Sequence, residues 1–115
     1  LQRSLIVTGF PYTKITKGKD YEWVLKTMAN LLPLTRDIRR TGAASIDLCY
    51  VACGKFEAYY ECNLKPWDVA AGALIVTEAL GKISNEKGDE YSLDDHIILS
   101  SNGLVHDALL KQIEA

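Results

Sequence analysis

Within "YYECNLKPWDVAAGALIVTEALG", residues 59–81, Asp68 stands at the mouth of the most apolar stretch in the chain, and no other charge follows until Glu78. Glu61 lies seven residues before Asp68, at the end of an aromatic run. A connection of that length containing Pro66 can bring both carboxylates to one rim. There Asp68 would meet the free backbone N–H groups and the positive dipole end of a helix. Two acidic groups so placed suit a hard cation, since magnesium takes one or two carboxylates and completes its shell with water and phosphate oxygens. A plainer reading competes, because aspartate is among the preferred helix caps. Local pattern alone favours the cap, and Glu61 alone would more often be an exposed strand end.

A second spot is "TGAA", where Gly42 leads a strand into a helix and small residues leave backbone N–H groups open to a ligand. An ordinary strand-to-helix turn explains it equally simply. Arg39 and Arg40, just upstream, could reach an anionic substrate. Gly72, inside the apolar helix, costs roughly 1 kcal/mol against alanine, so close approach to a ligand or another element is expected there. His96 and His106 show no partner in the local sequence and read as structural. Gly-x-Ser-x-Gly, a glycine-rich phosphate loop with lysine, and His-Glu-x-x-His are all absent.

The elements that must position these residues alternate. Residues 4–10 read as a buried strand, and "YTKITKGKD" reads as a polar loop. Asp20 is expected to cap a helix whose apolar face is Trp23, Val24, Thr27, Leu31 and Leu32, stopped by Pro33. "RDIRRT" reads as a strand. The spacing of Ile46, Cys49, Tyr50 and Cys53 predicts a helix over 43–53 that buries them. "FEAYYE" is a strand, a helix follows over about 67–79, "KISN" is a weak strand, "HIILSS" a further strand, and "LVHDALLKQIEA" a closing amphipathic helix. This order predicts one α/β domain over 1–115, with a mixed, largely parallel sheet flanked by helices. In such sheets ligands gather beyond the carboxyl ends of the strands, which is where both spots lie.

At 115 residues and 48% hydrophobic content the chain can bury a real core. Its net charge of −2 gives no reason to expect nucleic acid or a membrane surface as partner. No apolar run reaches the roughly 18 residues of a membrane span. The three cysteines, at 49, 53 and 62, contain no Cys-x-x-Cys and read as buried free thiols of a reducing cytoplasm. The chain enters a strand pattern almost at Leu1, and a longer protein around it is expected.

The combination is more specific than its parts. "DIRRTGAASIDLCYVACGKFEAYYECNLKPWDVAAGALIVTEALG" resembles the carboxy-terminal half of the inositol monophosphatase family, whose signature is Trp-Asp-x-Ala-Ala-Gly, an aliphatic run and Glu-Ala-Gly-Gly. "SLIVTGFPY" and "SSNGLVHDALL" resemble the same family's flanks. The resemblance implies a magnesium-dependent phosphatase of the layered sugar-phosphatase fold, with inositol 1-phosphate as the default substrate among related sugar and alcohol phosphates. It makes Asp68 a Mg2+ ligand, puts Glu61 on substrate hydroxyls, and lines the substrate site with Gly42, Ala43 and Ala44. Ala43 lacks the hydroxyl usual at its position, and Leu80 replaces the first glycine of the closing pair.

The family's remaining metal ligands belong to a Glu-Glu element and an Asp-Pro-x-Asp-Gly-Thr motif of an amino-terminal half, and neither occurs here. The expectation is therefore a chain inactive by itself, partnered by that half and assembled as a homodimer. Its face toward the missing half should then expose more apolar surface than a monomer tolerates. The alternative is a non-catalytic binding or assembly module that keeps the fold.

Overall fold

The computed structural model describes residues 1–11 and 18–113. Residues 12–17, most of the expected polar loop, and the last two of the closing helix lie outside the described residues. The elements run β1 (Leu5–Thr8), α1 (Lys19–Leu31), a 3-10 turn (Leu32–Leu34), β2 (Asp37–Arg39), α2 (Ala44–Ala52), β3 (Ala58–Cys62), α3 (Pro66–Glu78), β4 (Lys82–Ser84), β5 (Ile97–Ser101) and α4 (His106–Ile113). The five strands form one sheet in the order β2-β1-β3-β5-β4. β1 pairs in parallel with β2 and β3, and β5 pairs antiparallel with β3 and β4. Four strands therefore share one direction and β5 alone is reversed. This is the mixed, largely parallel α/β sheet that the alternation of patterns predicts.

Strand periodicity divides the core in two. Val7, Tyr59 and Ile98 point to a layer shared with Leu48 and Val51 of α2 and with Val69 and Val76 of α3. Their neighbours Ile6, Tyr60 and Leu99 point the other way, to Leu31 of α1 and to Leu109 and Ile113 of α4. With helices on both faces, all five residues of β3 are buried. That explains why "AYYEC" shows no polar alternation.

α3 lies against α2 at its glycine. A Cβ at Gly72 would stand 2.7 Å from both Cβ and Cδ1 of Leu48, so the close approach is to the neighbouring helix and not to a ligand. α3 closes as a Schellman motif, with Leu80 N–H on the Thr77 carbonyl (3.0 Å) and Gly81 N–H on that of Val76 (2.8 Å). Leu80 holds the left-handed position of this turn, at φ 68°.

Several local expectations are corrected. α2 buries Asp47, Leu48 and Val51, whereas Ile46, Tyr50 and Cys53 are exposed. Nearly every residue of this helix is apolar, so two stripes satisfied the helical period and tertiary packing chose between them. Of the three free thiols only Cys62 is buried. Asp20 does not cap α1: Gly18 occupies the cap position, and the Asp20 carboxylate lies 2.6 Å from His96 Nε2. His96 precedes β5 instead of belonging to it. Among the described residues no helix is long and apolar enough to cross a membrane.

Candidate functional site

The chain leaves β1 through α1 on one face of the sheet and leaves β2 through α2 on the other. The carboxyl ends of β1, β2 and β3 therefore splay apart at a topological switch point, the usual crevice of open α/β sheets. A cleft of about 260 Å³ lies there. Gly9 and Phe10 enter it from the end of β1, and Arg40 with the turn into α2 enters from β2. Glu61, Leu64, Trp67 and Asp68 enter from the β3–α3 connection. Gly42, Ala43, Ala44, Glu61 and Asp68, separated by up to 26 residues in sequence, all line this one cleft.

Asp68 is the third residue of α3, and its two carboxylate oxygens are differently engaged. Oδ2 accepts the backbone N–H of Lys65, the residue at the cap position, at 3.0 Å. The Asp68 N–H returns a bond to the Lys65 carbonyl at 2.9 Å. This is the reach-back half of a capping box, with aspartate in place of the usual glutamate. Oδ1 accepts no hydrogen bond from the described residues. Capping therefore engages one oxygen of a residue that also lines the cleft.

Glu61 is only 9% exposed, and its Oε1 accepts the Tyr59 hydroxyl at 2.5 Å. Burial pushes its carboxyl up to about 7, against the pull of the Tyr59 hydrogen bond, and the charges of Asp47 and Asp68 push further in the same direction. Arg40 opposes them weakly. The carboxylate rests on Gly9, where a Cβ would come within 2.3 Å of Oε1. Asp47, buried in α2, bonds the Thr41 hydroxyl, and burial raises its carboxyl. It stands behind the cleft as a further negative charge.

The two adjacent arginines part company. Arg39 turns back to Asp37 of its own strand and does not line the cleft. The Arg40 guanidinium lies over the Phe10 ring, 5.6 Å from its centroid, and lines the cleft. Gly42 takes φ 94°, a left-handed value that glycine holds without strain. Ala43 then occupies the cap position of α2 with no side-chain cap, so the first N–H groups of that helix are uncapped where they open to the cleft. Two helix N-termini thus meet two carboxylates and one guanidinium.

Two carboxylates beside two helix N-termini and a guanidinium make a rim with room for both a cation and an anion. Asp68 fits one position of a magnesium shell, as a single carboxylate oxygen. Among the described residues no other His, Cys, Asp or Glu pair joins Asp68 within ligand distance of it; the one such cluster is Asp20, Cys62 and His96. The remaining magnesium ligands would have to come from elsewhere.

Gly9, Phe10, Ser45, Leu64 and Trp67 escape a reading of the sequence as site residues, and so does Asp47. Their signals are tertiary: Gly9 looks like a strand end, and Asp47 like one acidic residue in a greasy helix. The histidines also gain partners. His106 is buried between Ser84 (Nε2 to Oγ, 2.7 Å) and Ser101 (Nδ1 to Oγ, 2.8 Å). Burial lowers its pKa, as expected of a structural group inside the fold.

The sequence model of the inositol monophosphatase family matches residues 1–115. "Phosphatase IMPL1, chloroplastic" of Arabidopsis thaliana is 41% identical over 115 aligned positions, an alignment that covers 98% of this chain and 30% of that protein. "Nus factor SuhB" of Pseudomonas aeruginosa is 40% identical over 116 residues, covering 99% of this chain and 42% of that one. The solved inositol monophosphatase of Anabaena (Nostoc) sp. PCC 7120 superposes with a TM-score of 0.89 at 35% identity, over 97% of this chain and 43% of that one. The chain spans less than half the length of these relatives.

Proposed function

The chain belongs to the inositol monophosphatase family, and on that premise we propose that it forms the substrate-facing portion of a magnesium-dependent phosphomonoesterase. The substrate class is a phosphate monoester of inositol or a related polyol. The observation that carries this reading is the Asp68 carboxylate, which closes its helix through Oδ2 alone and belongs to a residue lining the same cleft as Glu61 and the α2 N-terminus.

Asp68 Oδ1 supplies one oxygen ligand to magnesium. Bound there, the ion would polarise the phosphate and lower the pKa of a coordinated water. The uncapped N–H groups of α2 and the Arg40 guanidinium favour the anionic phosphate oxygens. Glu61 faces the alcohol portion and accepts a hydrogen bond from a substrate hydroxyl. Tyr59 and Gly9 hold that carboxylate in place, the first by donating to Oε1 and the second by leaving room for it. Trp67, 79% exposed at the rim, offers a ring face to a polyol. Without a side-chain hydroxyl at Ala43, contacts from that turn are made by the backbone.

The chain's single metal-facing carboxylate cannot by itself fix a catalytic magnesium site, so the complementary ligands belong to the remainder of a longer or two-part protein. The decisive experiment assays inositol 1-phosphate hydrolysis with magnesium by the 115-residue chain and by the full-length protein. The chain should show no turnover, and the full-length protein should lose its turnover on Asp68→Asn. Full-length turnover unchanged by that substitution would overturn the assignment.

A further inference from the structure

β3 ends with two ionisable residues facing opposite ways. Glu61 points with Tyr59 into the cleft, while Cys62 points with Tyr60 toward α1. We propose that Cys62, Asp20 and His96 form a second metal site, for zinc or a similar thiolate-binding divalent ion, on the face of β3 away from the phosphate cleft.

One ligand atom from each of the three side chains lies within 4.8 Å of the other two. They come from three elements that the sheet holds in register. Asp20 is in the first turn of α1, and Cys62 is the last residue of β3. His96 immediately precedes β5, with Cys62 opposite Ile97 and the Asn63 N–H on the His96 carbonyl at 2.7 Å. The backbone that carries two of the ligands is therefore pinned by the β3–β5 pairing.

The donor set selects the ion. Thiolate, imidazole and carboxylate are a zinc set, whereas magnesium seeks oxygen alone. Zinc bonds of about 2.0–2.3 Å in tetrahedral geometry place ligand atoms roughly 3.3–3.6 Å apart. Asp20 Oδ1 and His96 Nε2 now stand at 2.6 Å, so an ion taking the place of their shared proton separates them by less than about 1 Å. Exposure is graded across the site: Cys62 is 2% exposed, the Asp20 side chain 18% and the His96 side chain 55%. The ion would enter past His96 and keep a water in its fourth position. An Asp20–His96 ion pair that simply ties α1 to the sheet accounts for two of these residues. The Cys62 thiol donates a hydrogen bond to Asp20 as well, and burial and that carboxylate push it up to about 12, so an ion bound here would displace the thiol proton.

The test is a cobalt titration of the metal-free full-length protein, read by the thiolate-to-cobalt charge-transfer band in the near ultraviolet. The band should appear, be displaced by zinc and vanish in Cys62→Ser. His96→Gln, at an exposed position that does not endanger folding, should weaken cobalt binding at least about tenfold, as should Asp20→Asn. Cys49→Ser, Cys53→Ser and Asp68→Asn should leave the band intact, and the last of these separates this site from the phosphate cleft. Absence of the band, its persistence in Cys62→Ser, or unchanged binding in His96→Gln would each overturn the proposal.

Discussion

The Glu61 carboxylate sits against Gly9, which leaves no space for a side chain: a Cβ there would stand 2.3 Å from Oε1 and 2.6 Å from Oε2. Gly9→Ala is expected to swing the flexible end of Glu61 away from the Tyr59 hydroxyl. Folding stability should fall by about 1–3 kcal/mol, the usual cost of overpacking beside a buried group. KM for the phosphate ester should rise several-fold. In a Glu61→Ala background Gly9→Ala should add nothing further, and steady-state kinetics on the four proteins of that cycle measure the coupling. Additive effects would show that the two residues act separately.

The observed cap and the proposed ligation by Asp68 can be separated by substitution. Asparagine keeps an oxygen for the Lys65 N–H, so Asp68→Asn should preserve the stability of α3. Asp68→Ala should lose about 1 kcal/mol in chemical denaturation, the usual value of a lost N-terminal capping partner. Both should depress full-length hydrolysis by more than the roughly 10- to 100-fold that follows loss of a ligand's outer partner. A variant with intact α3 and no activity isolates the ligand function.

Glu61 gives the fold a pH signature. Its carboxyl rises from 4.5 to about 7 on folding, so the native state holds a proton that the unfolded chain releases. The stability this confers is complete below about pH 4.5 and declines as pH rises through about 7, by roughly 3 kcal/mol in all. Urea unfolding in magnesium-free buffer should therefore show wild-type protein losing stability between those limits. Glu61→Gln should be flatter over the same range, and equal slopes for the two proteins would contradict the linkage.

Leu80 offers a gain. It occupies the left-handed position of the α3 Schellman turn at φ 68°, and it is 88% exposed, so little packing is lost with its side chain. Leu80→Gly should stabilise the protein by about 1 kcal/mol, visible as a raised Tm. This is the position where the sequence departs from the Gly-Gly of its family.

What could be read in advance followed from local rules. The alternation of strand and helix patterns sufficed for a mixed α/β sheet, and the Trp67-Asp68 motif pointed to the carboxylates at its edge. Arg39 and Arg40 were equivalent candidates until the strand sent the first to Asp37 and the second to Phe10. The buried face of α2 was illegible because a helix apolar on almost every side has no preferred stripe. Asp20 reads locally as a cap because its partner His96 lies 76 residues away, and no local pattern encodes that pairing. Asp47 and Gly9 were missed for the same reason, since their meaning depends on strand order.

The parity of β3 constrains how this protein can vary. Side chains along a strand alternate with a period of two, so a single-residue insertion or deletion before Glu61 would exchange its direction with that of Cys62. A deletion would turn the thiol to the cleft, and an insertion would drive the carboxylate against Asp20. Length changes in this strand are thus tolerable only in pairs, while the turns at either end of it can drift. Lineages that carry both residues should show β3 as a segment of fixed length between variable loops.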